Sequence, residues 1–242
     1  MLSKDEIIMP KDIDSYIIKR KFQSRKNEVY LVELRKSNGL VIPSVLKKYI
    51  NSNENKSKET FLLRVSLENG LSVPKIYFEG ADYILLEYID GDTFLDTLVD
   101  LENNQGENIG NEKNYEAFFE LFTWLQKFYS LTKETIGKGY IFEDINFRNF
   151  IVSDKIYGID LEDCHYGAYK ERDGGRFCAF LLTYFPSLTR WKVKAAKQAI
   201  EILTKEFGYN SELLKKEINK EFIEIQKRRK IKIPDGIIKR LF

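Results

Sequence analysis

Cysteine and histidine are scarce in this chain, which has two cysteines, Cys164 and Cys178, and one histidine, His165, among 242 residues. The cysteines form no CxxC pair, so the sequence argues against a zinc site and against the disulfide framework of small secreted proteins. A single histidine excludes a histidine-rich metal site and leaves few arrangements for a Ser-His-Asp triad. These absences are typical of a reducing compartment, and we expect a cytoplasmic protein.

Long apolar runs are missing as well. No run approaches the roughly 18 residues that span a membrane, and the opening residues, MLSKDEIIMPKDID, lack the apolar stretch of a signal peptide. The formal net charge is only +2, which argues against a dedicated nucleic-acid-binding protein. We therefore expect no membrane span and no nucleic-acid partner.

The positive charge is concentrated in residues 227–242, where seven Lys and Arg residues face one Asp, a local charge of +6. A basic tail of this kind could touch a membrane surface or a nucleic acid. A solvated helix end, with cations at the negative end of the helix dipole, is the simpler interpretation.

The hydrophobic and charged fractions, 43% and 31%, are those of an ordinary globular protein. The length allows one large domain or two small lobes that share a cleft. Strands are predicted for YIIKRKF, EVYLVEL and LVIPSVLKKY, with Pro43 at an edge or a bulge because proline cannot donate to a ladder. A helix over residues 51–70 follows, which Gly70 ends. Two short apolar strands complete an order β-β-β-α-β-β. The apolar residues repeating along this helix are Phe61, Leu62 and Val65.

Helices dominate the sequence after Gly91. TFLDTLVDL predicts a short helix, the polar residues 102–114 a surface loop, and residues 114–133 a long helix with a wide apolar stripe. FIV and IYGI predict a tight hairpin around Ser153-Asp154-Lys155, and three more helices are predicted from about residue 176. The stripe of the long helix contains Phe118, Phe119, Phe122, Leu125, Phe128 and Tyr129, and that of the last helix contains Leu214, Ile218, Phe222 and Ile225.

Polar residues typical of phosphoryl transfer occur in order along the chain, through the predicted strands and then the predicted helices. The phosphoryl-transfer pattern places a lysine on the third strand, a glutamate in the next helix, then Asp-x4-Asn, and an Asp after a hairpin. Lys47, Glu59, Asp144, Asn149 and Asp160 supply these in order. In such a site the lysine reaches the nucleotide phosphates, and an ion pair between Lys47 and Glu59 would fix the position of the lysine. The first Asp receives the acceptor proton, and the Asn and second Asp bind magnesium.

Each residue also has a simpler explanation. Taken alone, Glu59 is better explained as a first-turn carboxylate favoured by the helix dipole. The residues around Asp144 and Asn149 are equally typical of loops and turns. The simpler explanation does not account for their joint spacing, nor for the apolar strands between Asn149 and Asp160.

Several stretches resemble the aminoglycoside phosphotransferase and choline kinase family, the small-molecule branch of the protein-kinase-like fold, over roughly residues 16–185. The stretches are NEVYLV, VLKKY, ETFLLRVSLENGLSVPKIY, YILLEYIDGDTF, FEDINFRNFIV and YGIDLED. The resemblance implies an α+β fold, with a β-rich nucleotide-binding lobe over residues 1–88 and a helical catalytic and acceptor-binding lobe over residues 89–242.

The resemblance also implies roles for particular residues. Glu87, Tyr88 and Ile89 would offer backbone groups to an adenine or a guanine. Asp173, in ERDGGRFCAFL, resembles a buried Asp that anchors the catalytic loop. The phosphate loop would be QSRKN, in which backbone N–H groups and the side chains of Ser24, Arg25 and Lys26 contact phosphates, with Asn27 at the start of the next strand.

The sequence departs from the family pattern at several positions. Phe142 stands where the family usually has His, and Asn146 and Phe147 stand where a polar or His residue and Pro are commoner. The phosphate loop has no glycine, so its backbone approaches phosphates less closely. Glu162 falls on the same strand face as Asp160 and is either a further metal ligand or a structural carboxylate.

We expect an enzyme that transfers the γ-phosphoryl group of ATP or GTP, with Mg²⁺, to a hydroxyl of a small molecule such as an aminoglycoside, an amino alcohol or a sugar. Acidic residues at 96, 100, 102, 107 and 112 could attract a cationic acceptor, although a solvated loop explains them more simply. One alternative is a small atypical protein kinase, but the dozen residues between Asp160 and Asp173 leave little room for a peptide groove. The other is a nucleotide-binding pseudokinase.

Overall fold

The computed structural model describes residues 10–50, 53–104, 111–167 and 169–242. It divides the chain into two compact units. The N-terminal unit combines Met1–Asp90 with Tyr157–Glu162, and the C-terminal unit combines Gly91–Ile156 with Asp163–Phe242. The first is built on a β-sheet and the second is mainly helical, so the fold is α+β.

One antiparallel sheet of five strands forms the core of the N-terminal unit, in the order β1-β2-β3-β5-β4. The predicted order β-β-β-α-β-β is confirmed. The elements are β1 (Ile13–Phe22), β2 (Asn27–Lys36), β3 (Val41–Tyr49), α1 (Asn53–Glu68), β4 (Ile76–Glu79) and β5 (Tyr83–Glu87).

Alternating burial along β2 explains why this sheet forms. Tyr30, Val32 and Leu34 are buried and pack in one cluster with Leu46 of β3, because successive strand residues point to opposite faces. The β2–β3 turn closes at Gly39, whose φ of +82° favours glycine. Its N–H donates to the Lys36 carbonyl at 2.8 Å.

Pro43 lies in a central strand rather than an edge strand. It pairs with Glu33 of β2 in a regular register, whereas the β3–β5 pairing starts only at Ser44. Pro43 therefore occupies the part of β3 where one side has no strand partner, and its missing N–H breaks no ladder bond there. The predicted edge position is therefore correct for Pro43 itself but not for β3 as a whole. The β2–β3 register has no bulge at Pro43.

Helices and short strands build the C-terminal unit. Its helices are α2 (Phe94–Asn103), α3 (Asn111–Ile136), α4 (Glu171–Thr183), α5 (Arg190–Lys205), α6 (Ser211–Arg229) and α7 (Ile237–Leu241). Its short strands are β6 (Asp92–Thr93), β7 (Tyr140–Ile141), β8 (Phe150–Val152) and β10 (His165–Tyr166), while β9 (Ile156–Gly158) starts in this unit and ends in the other. The turn predicted around Ser153-Asp154-Lys155 closes there, since Ser153 N–H donates to the Lys155 carbonyl at 3.0 Å.

The core of this unit is rich in phenylalanine. Fully buried rings come from α3, from the loop before β8 and from α4, among them Phe122, Phe142 and Phe177. The predicted apolar stripes of α3 and α6 are buried, except that Phe119 is 37% exposed. Within the described residues, no helix is long and apolar enough to cross a membrane.

Candidate functional site

Lys47 is the centre of a buried ionic cluster in the N-terminal unit. It lies on β3 with 5% of its surface exposed. Its Nζ is 2.6 Å from Glu59 Oε2, 2.5 Å from Asp160 Oδ1 and 3.5 Å from Glu162 Oε2. We call Lys47, Glu59, Asp160 and Glu162 the lysine cluster. The ion pair expected between β3 and α1 therefore forms, and Asp160 and Glu162 join it.

Asp160 and Glu162 reach Lys47 because Tyr157–Glu162 packs as part of the N-terminal unit. Gly158 N–H donates to the Ser72 carbonyl at 3.1 Å. Asp160 then adopts a left-handed conformation with a φ of +63°, which is uncommon for a residue with a side chain and marks a constrained position.

Two further side chains hold the carboxylates of the lysine cluster. Asn27 Nδ2 donates to Glu162 Oε2 at 2.6 Å, so Asn27, predicted to contact the nucleotide, also orients a carboxylate. The Tyr49 hydroxyl donates to Glu59 Oε2. Sequence analysis missed Tyr49, although it lies two residues after Lys47 and hence on the same face of β3.

Burial and charge oppose each other in the lysine cluster. Burial by itself lowers the pKa of Lys47, but Glu59, Asp160 and Glu162 outweigh it and raise that pKa above its ordinary value. Lys47 is therefore a stable cation. Burial raises the pKa of Glu59, and the nearby Asp160 adds to this effect while Lys47 opposes it. The cluster combines three carboxyl groups with the buried ammonium group of Lys47, and the exposed Lys26 lies 4.0 Å from Glu162 Oε1, so the carboxyl groups still outnumber the ammonium groups.

The three carboxylates are arranged as metal ligands could be. One oxygen each from Glu59, Asp160 and Glu162 lie within 4.8 Å of one another. The second oxygen of Glu59 is buried and has no hydrogen-bond partner among the described residues. Carboxylate oxygens are the donors that Mg²⁺ prefers, so the residues fit the predicted ion.

The other predicted nucleotide-binding residues have structural partners. Ser24 Oγ accepts a hydrogen bond from Asn27 N–H at 3.3 Å and so shapes the turn before β2. Glu87 N–H donates to the Lys75 carbonyl at 2.8 Å, and Glu87 Oε2 accepts from Lys75 N–H at 3.2 Å. The N–H of Glu87 is thus committed within the protein. Ile89 lies two residues beyond β5 and is half-buried.

Asp144 and Asn149 contact each other in the C-terminal unit. Asn149 Nδ2 lies 3.2 Å from Asp144 Oδ2 and 3.1 Å from the Asp144 carbonyl. Asn149 is buried at the end of a 3-10 helix, Phe147–Asn149, and Asp144 is half-buried before it. The structure therefore brings the predicted base and the predicted amide ligand together within one loop.

Asp173 anchors this loop from α4. Its carboxylate accepts hydrogen bonds from Phe142 N–H at 2.7 Å and Glu143 N–H at 2.9 Å, and from the Tyr129 hydroxyl at 2.9 Å. Burial raises the pKa of Asp173 to about 6, although these donors and Arg176 lower it. The structural role predicted for Asp173 matches these contacts.

Glu143 also holds this loop in place, and no sequence pattern indicates its role. Its φ is +68°. Its carboxylate lies 2.7 Å from Arg172, 2.6 Å from Arg176 and 3.4 Å from His165, and Arg176 also donates to its carbonyl. These ion pairs bring together distant parts of the chain, so no local pattern reveals them.

Tertiary contacts hold Phe142 and Asn146, two residues that depart from the family pattern. The Phe142 ring lies 5.7 Å from Trp124, 6.2 Å from Phe128 and 4.8 Å from Phe150, measured between centroids. Asn146 Oδ1 accepts hydrogen bonds from Arg148 N–H and from the Tyr184 hydroxyl, both at 3.1 Å. A buried aromatic contact thus occupies the place of the expected histidine.

Two of the predicted acidic residues, Asp96 and Glu102, have partners within the protein. Asp96 caps α2 by accepting from Thr93 N–H at 3.1 Å. Glu102 lies 3.3 Å from Lys192 and accepts from the Thr189 hydroxyl at 2.5 Å. Asp100 and Glu112 are exposed, and Glu107 lies outside the described residues.

Comparison with known proteins adds no assignment: no protein-family model matches the chain, and no curated protein matches its sequence.

Proposed function

We propose that this protein is a small-molecule kinase with a protein-kinase-like fold. It transfers the γ-phosphoryl group of ATP or GTP to a hydroxyl group of a small acceptor. The observation that carries the proposal is the lysine cluster, in which Lys47 bonds simultaneously to Glu59 of α1 and to Asp160. A structural ion pair needs one carboxylate, whereas three carboxylates around one buried lysine fit a site for phosphates and a divalent cation.

The lysine cluster would hold the nucleotide phosphates. Glu59 and Tyr49 fix the ammonium group of Lys47, which removes the freedom of a four-carbon chain and leaves a positive charge at a defined position. Asn27 fixes Glu162 in the same way. Such preorganised charge accounts for most of the catalysis in phosphoryl transfer.

Magnesium is the metal that this donor set suits. Asp160 and Glu162 are the ligands that we assign in the N-terminal unit, and Asn149 remains a predicted ligand. When bound, the ion neutralises charge on the phosphate oxygens.

Asp144 would act on the acceptor. Its carboxylate is oriented by Asn149, and its loop is held by Asp173. As the acceptor oxygen bonds to the γ-phosphorus, the bond from that phosphorus to the β–γ bridging oxygen breaks. The nucleoside diphosphate leaves with the electron pair, and the acceptor proton passes to Asp144.

Substitution of the base tests the proposal. The full chain is incubated with MgATP or MgGTP and a screen of aminoglycosides, amino alcohols, sugars and hydroxy acids, and phosphorylated product is measured. We expect Asp144→Ala to lower kcat at least 100-fold and to leave nucleotide affinity within about twofold, because Asp144 lies outside the lysine cluster. Asp154→Ala, in the exposed turn before β9, is the matched control and should keep full activity.

Undiminished transfer by Asp144→Ala would contradict the assignment of the base. Nucleotide binding without transfer to any acceptor would favour a pseudokinase, and transfer to protein substrates alone would favour an atypical protein kinase.

A further inference from the structure

A cavity of about 360 Å³ lies within the C-terminal unit. That volume is within the range of small-molecule sites, roughly 300–1,000 Å³. Its wall includes Phe147 and Arg148 of the 3-10 helix that follows Asp144, together with Tyr184 and Phe185 after α4. The cavity is therefore lined by the loop that carries the proposed base.

Tyr184 connects the cavity wall to Asp144. Its hydroxyl donates to Asn146 Oδ1 at 3.1 Å, and Asn146 N–H lies 2.6 Å from the Asp144 carbonyl. The cavity wall is thus joined through Asn146 to the backbone of Asp144, the residue that would receive the acceptor proton.

The charges of the cavity wall are committed within the protein, with one exception. Lys192 is buried, donates to the carbonyls of Tyr184 at 2.9 Å and Pro186 at 2.5 Å, and pairs with Glu102. Asp96 caps α2. The exposed guanidinium of Arg148 forms no hydrogen bond or ion pair with any residue in the described part of the chain. Arg148 is therefore the one charged side chain of the cavity wall that has no partner in the described part of the chain.

An uncovered aromatic ring stands at the same cavity. Phe185 is 95% exposed, the highest value among the large hydrophobic residues that the structure describes as exposed. Leu95, Leu98 and Leu181 add further apolar surface to the wall. An exposed ring gains hydrophobic free energy when a ligand covers it.

We propose that the cavity binds the acceptor, and that the acceptor is a small hydroxyl compound with an apolar or aromatic body and an anionic group such as a carboxylate. The anionic group pairs with Arg148, and the body packs against Phe185. This inference rests on the proposed kinase function. It differs from the expectation of a cationic acceptor, because Glu102 is paired with Lys192 and Asp96 caps α2, whereas Arg148 has no partner in the described part of the chain.

Three matched probes test the inference: 3-(hydroxymethyl)benzoate, benzyl alcohol and 3-(hydroxymethyl)benzylamine. They share a ring and a hydroxymethyl group and differ in charge. Binding to the full chain is measured by calorimetry or ligand-observed NMR, without nucleotide. We expect the benzoate to bind roughly tenfold more tightly than the amine, since a charge-assisted bond to arginine is available only to the benzoate.

Three variants and one control assign the effect. Arg148→Ala should remove the preference for the benzoate, and Arg148→Glu should reverse it. Phe185→Ala should weaken all three probes by a similar factor. Arg240→Ala on α7, another exposed arginine, should change nothing. Absence of binding by all probes, a preference for the amine, or an unchanged preference in Arg148→Ala would overturn the inference.

Nucleotide titration in parallel separates this inference from the function on which it rests. If MgATP and MgGTP fail to bind while the benzoate binds through Arg148, the kinase proposal fails and the cavity assignment stands. If nucleotide binds and transfer occurs without any dependence on Arg148, the kinase proposal stands and the cavity assignment fails.

Discussion

At the scale of single residues, burial makes the charges of Lys47 and Asp173 sensitive to their neighbours. Removing one partner from a buried ion pair is strongly destabilising, by about 3–5 kcal/mol, since the other charge stays buried. In the lysine cluster Lys47 forms ion pairs with three carboxylates. Its removal would therefore leave all three without their shared ammonium partner. Asp173 has the corresponding position for the loop that holds Asp144 and Asn149.

Asp173 predicts a measurable dependence of stability on pH. Its pKa is about 6 in the folded protein against an ordinary value of 3.8. Between these values the folded state binds more protons than the unfolded state, so this group lowers the free energy of unfolding as the pH rises through that window. A difference of about 2 in pKa between the folded and unfolded states corresponds to about 3 kcal/mol in the free energy of unfolding.

The matching variant is Asp173→Asn, which does not titrate. We expect the free energy of unfolding of the wild type, minus that of the variant, to decrease by up to about 3 kcal/mol from pH 4 to pH 7. Urea unfolding at several pH values measures this difference. A constant difference over that range would contradict the buried, raised carboxyl group.

Contacts of single residues could be predicted where the period of a strand or a helix determines which face a side chain lies on. Lys47 and Glu59 were predicted to pair and do so at 2.6 Å, because strand alternation and helix position determine their faces. Sequence analysis missed Glu143, since the ion pairs of that residue join segments about 30 residues apart. The place of Phe142 in an aromatic cluster depends in the same way on tertiary contacts.

At the scale of elements, close packing of α4 on α6 is a feature that the sequence did not reveal. Gly174 and Gly175 allow this approach. A Cβ at Gly175 would lie 2.6 Å from Glu217 Cβ and 2.8 Å from the Glu217 backbone carbon. Because α4 also carries Asp173, any displacement of α4 reaches the loop that holds Asp144 and Asn149.

Gly175→Ala should therefore lower the free energy of unfolding by about 1–3 kcal/mol, although alanine is the better helix former by about 1 kcal/mol. Chemical denaturation measures the change. Gly139→Ala is the control, because its Cβ would meet nothing closer than Lys133 Cβ at 3.9 Å. Equal stability of the Gly175 variant and the wild type would contradict the close helix contact.

Most long elements could be predicted because their apolar residues repeat at the period of a strand or a helix. The two-residue strands β6, β7 and β10 are too short to show a period. Phe61 and Phe119 were assigned to buried stripes but are 48% and 37% exposed. Leu62 and Leu63 are buried in α1, so the buried face of that helix does not include Phe61.

At the scale of the whole molecule, the chain crosses between its units more than once. Sequence analysis placed a boundary after residue 88, and the structure places one after Asp90. Tyr157–Glu162 returns to the N-terminal unit, where Asp160 and Glu162 complete the lysine cluster. That return could not be predicted from local pattern, because it depends on contacts over more than 100 residues, the Lys47–Asp160 ion pair and the Asn27–Glu162 hydrogen bond.

The central claim is that the lysine cluster binds a magnesium–nucleotide complex. Calorimetric titration of the full chain with ATP and GTP, with and without magnesium, tests it most directly. We predict saturable, magnesium-dependent binding of one or both nucleotides by the wild type and by Asp144→Ala, and at least tenfold weaker binding by Asp160→Asn. Circular dichroism spectra of the variants confirm that they are folded. Absence of binding of either nucleotide in both conditions, or unchanged binding by Asp160→Asn, would contradict the account.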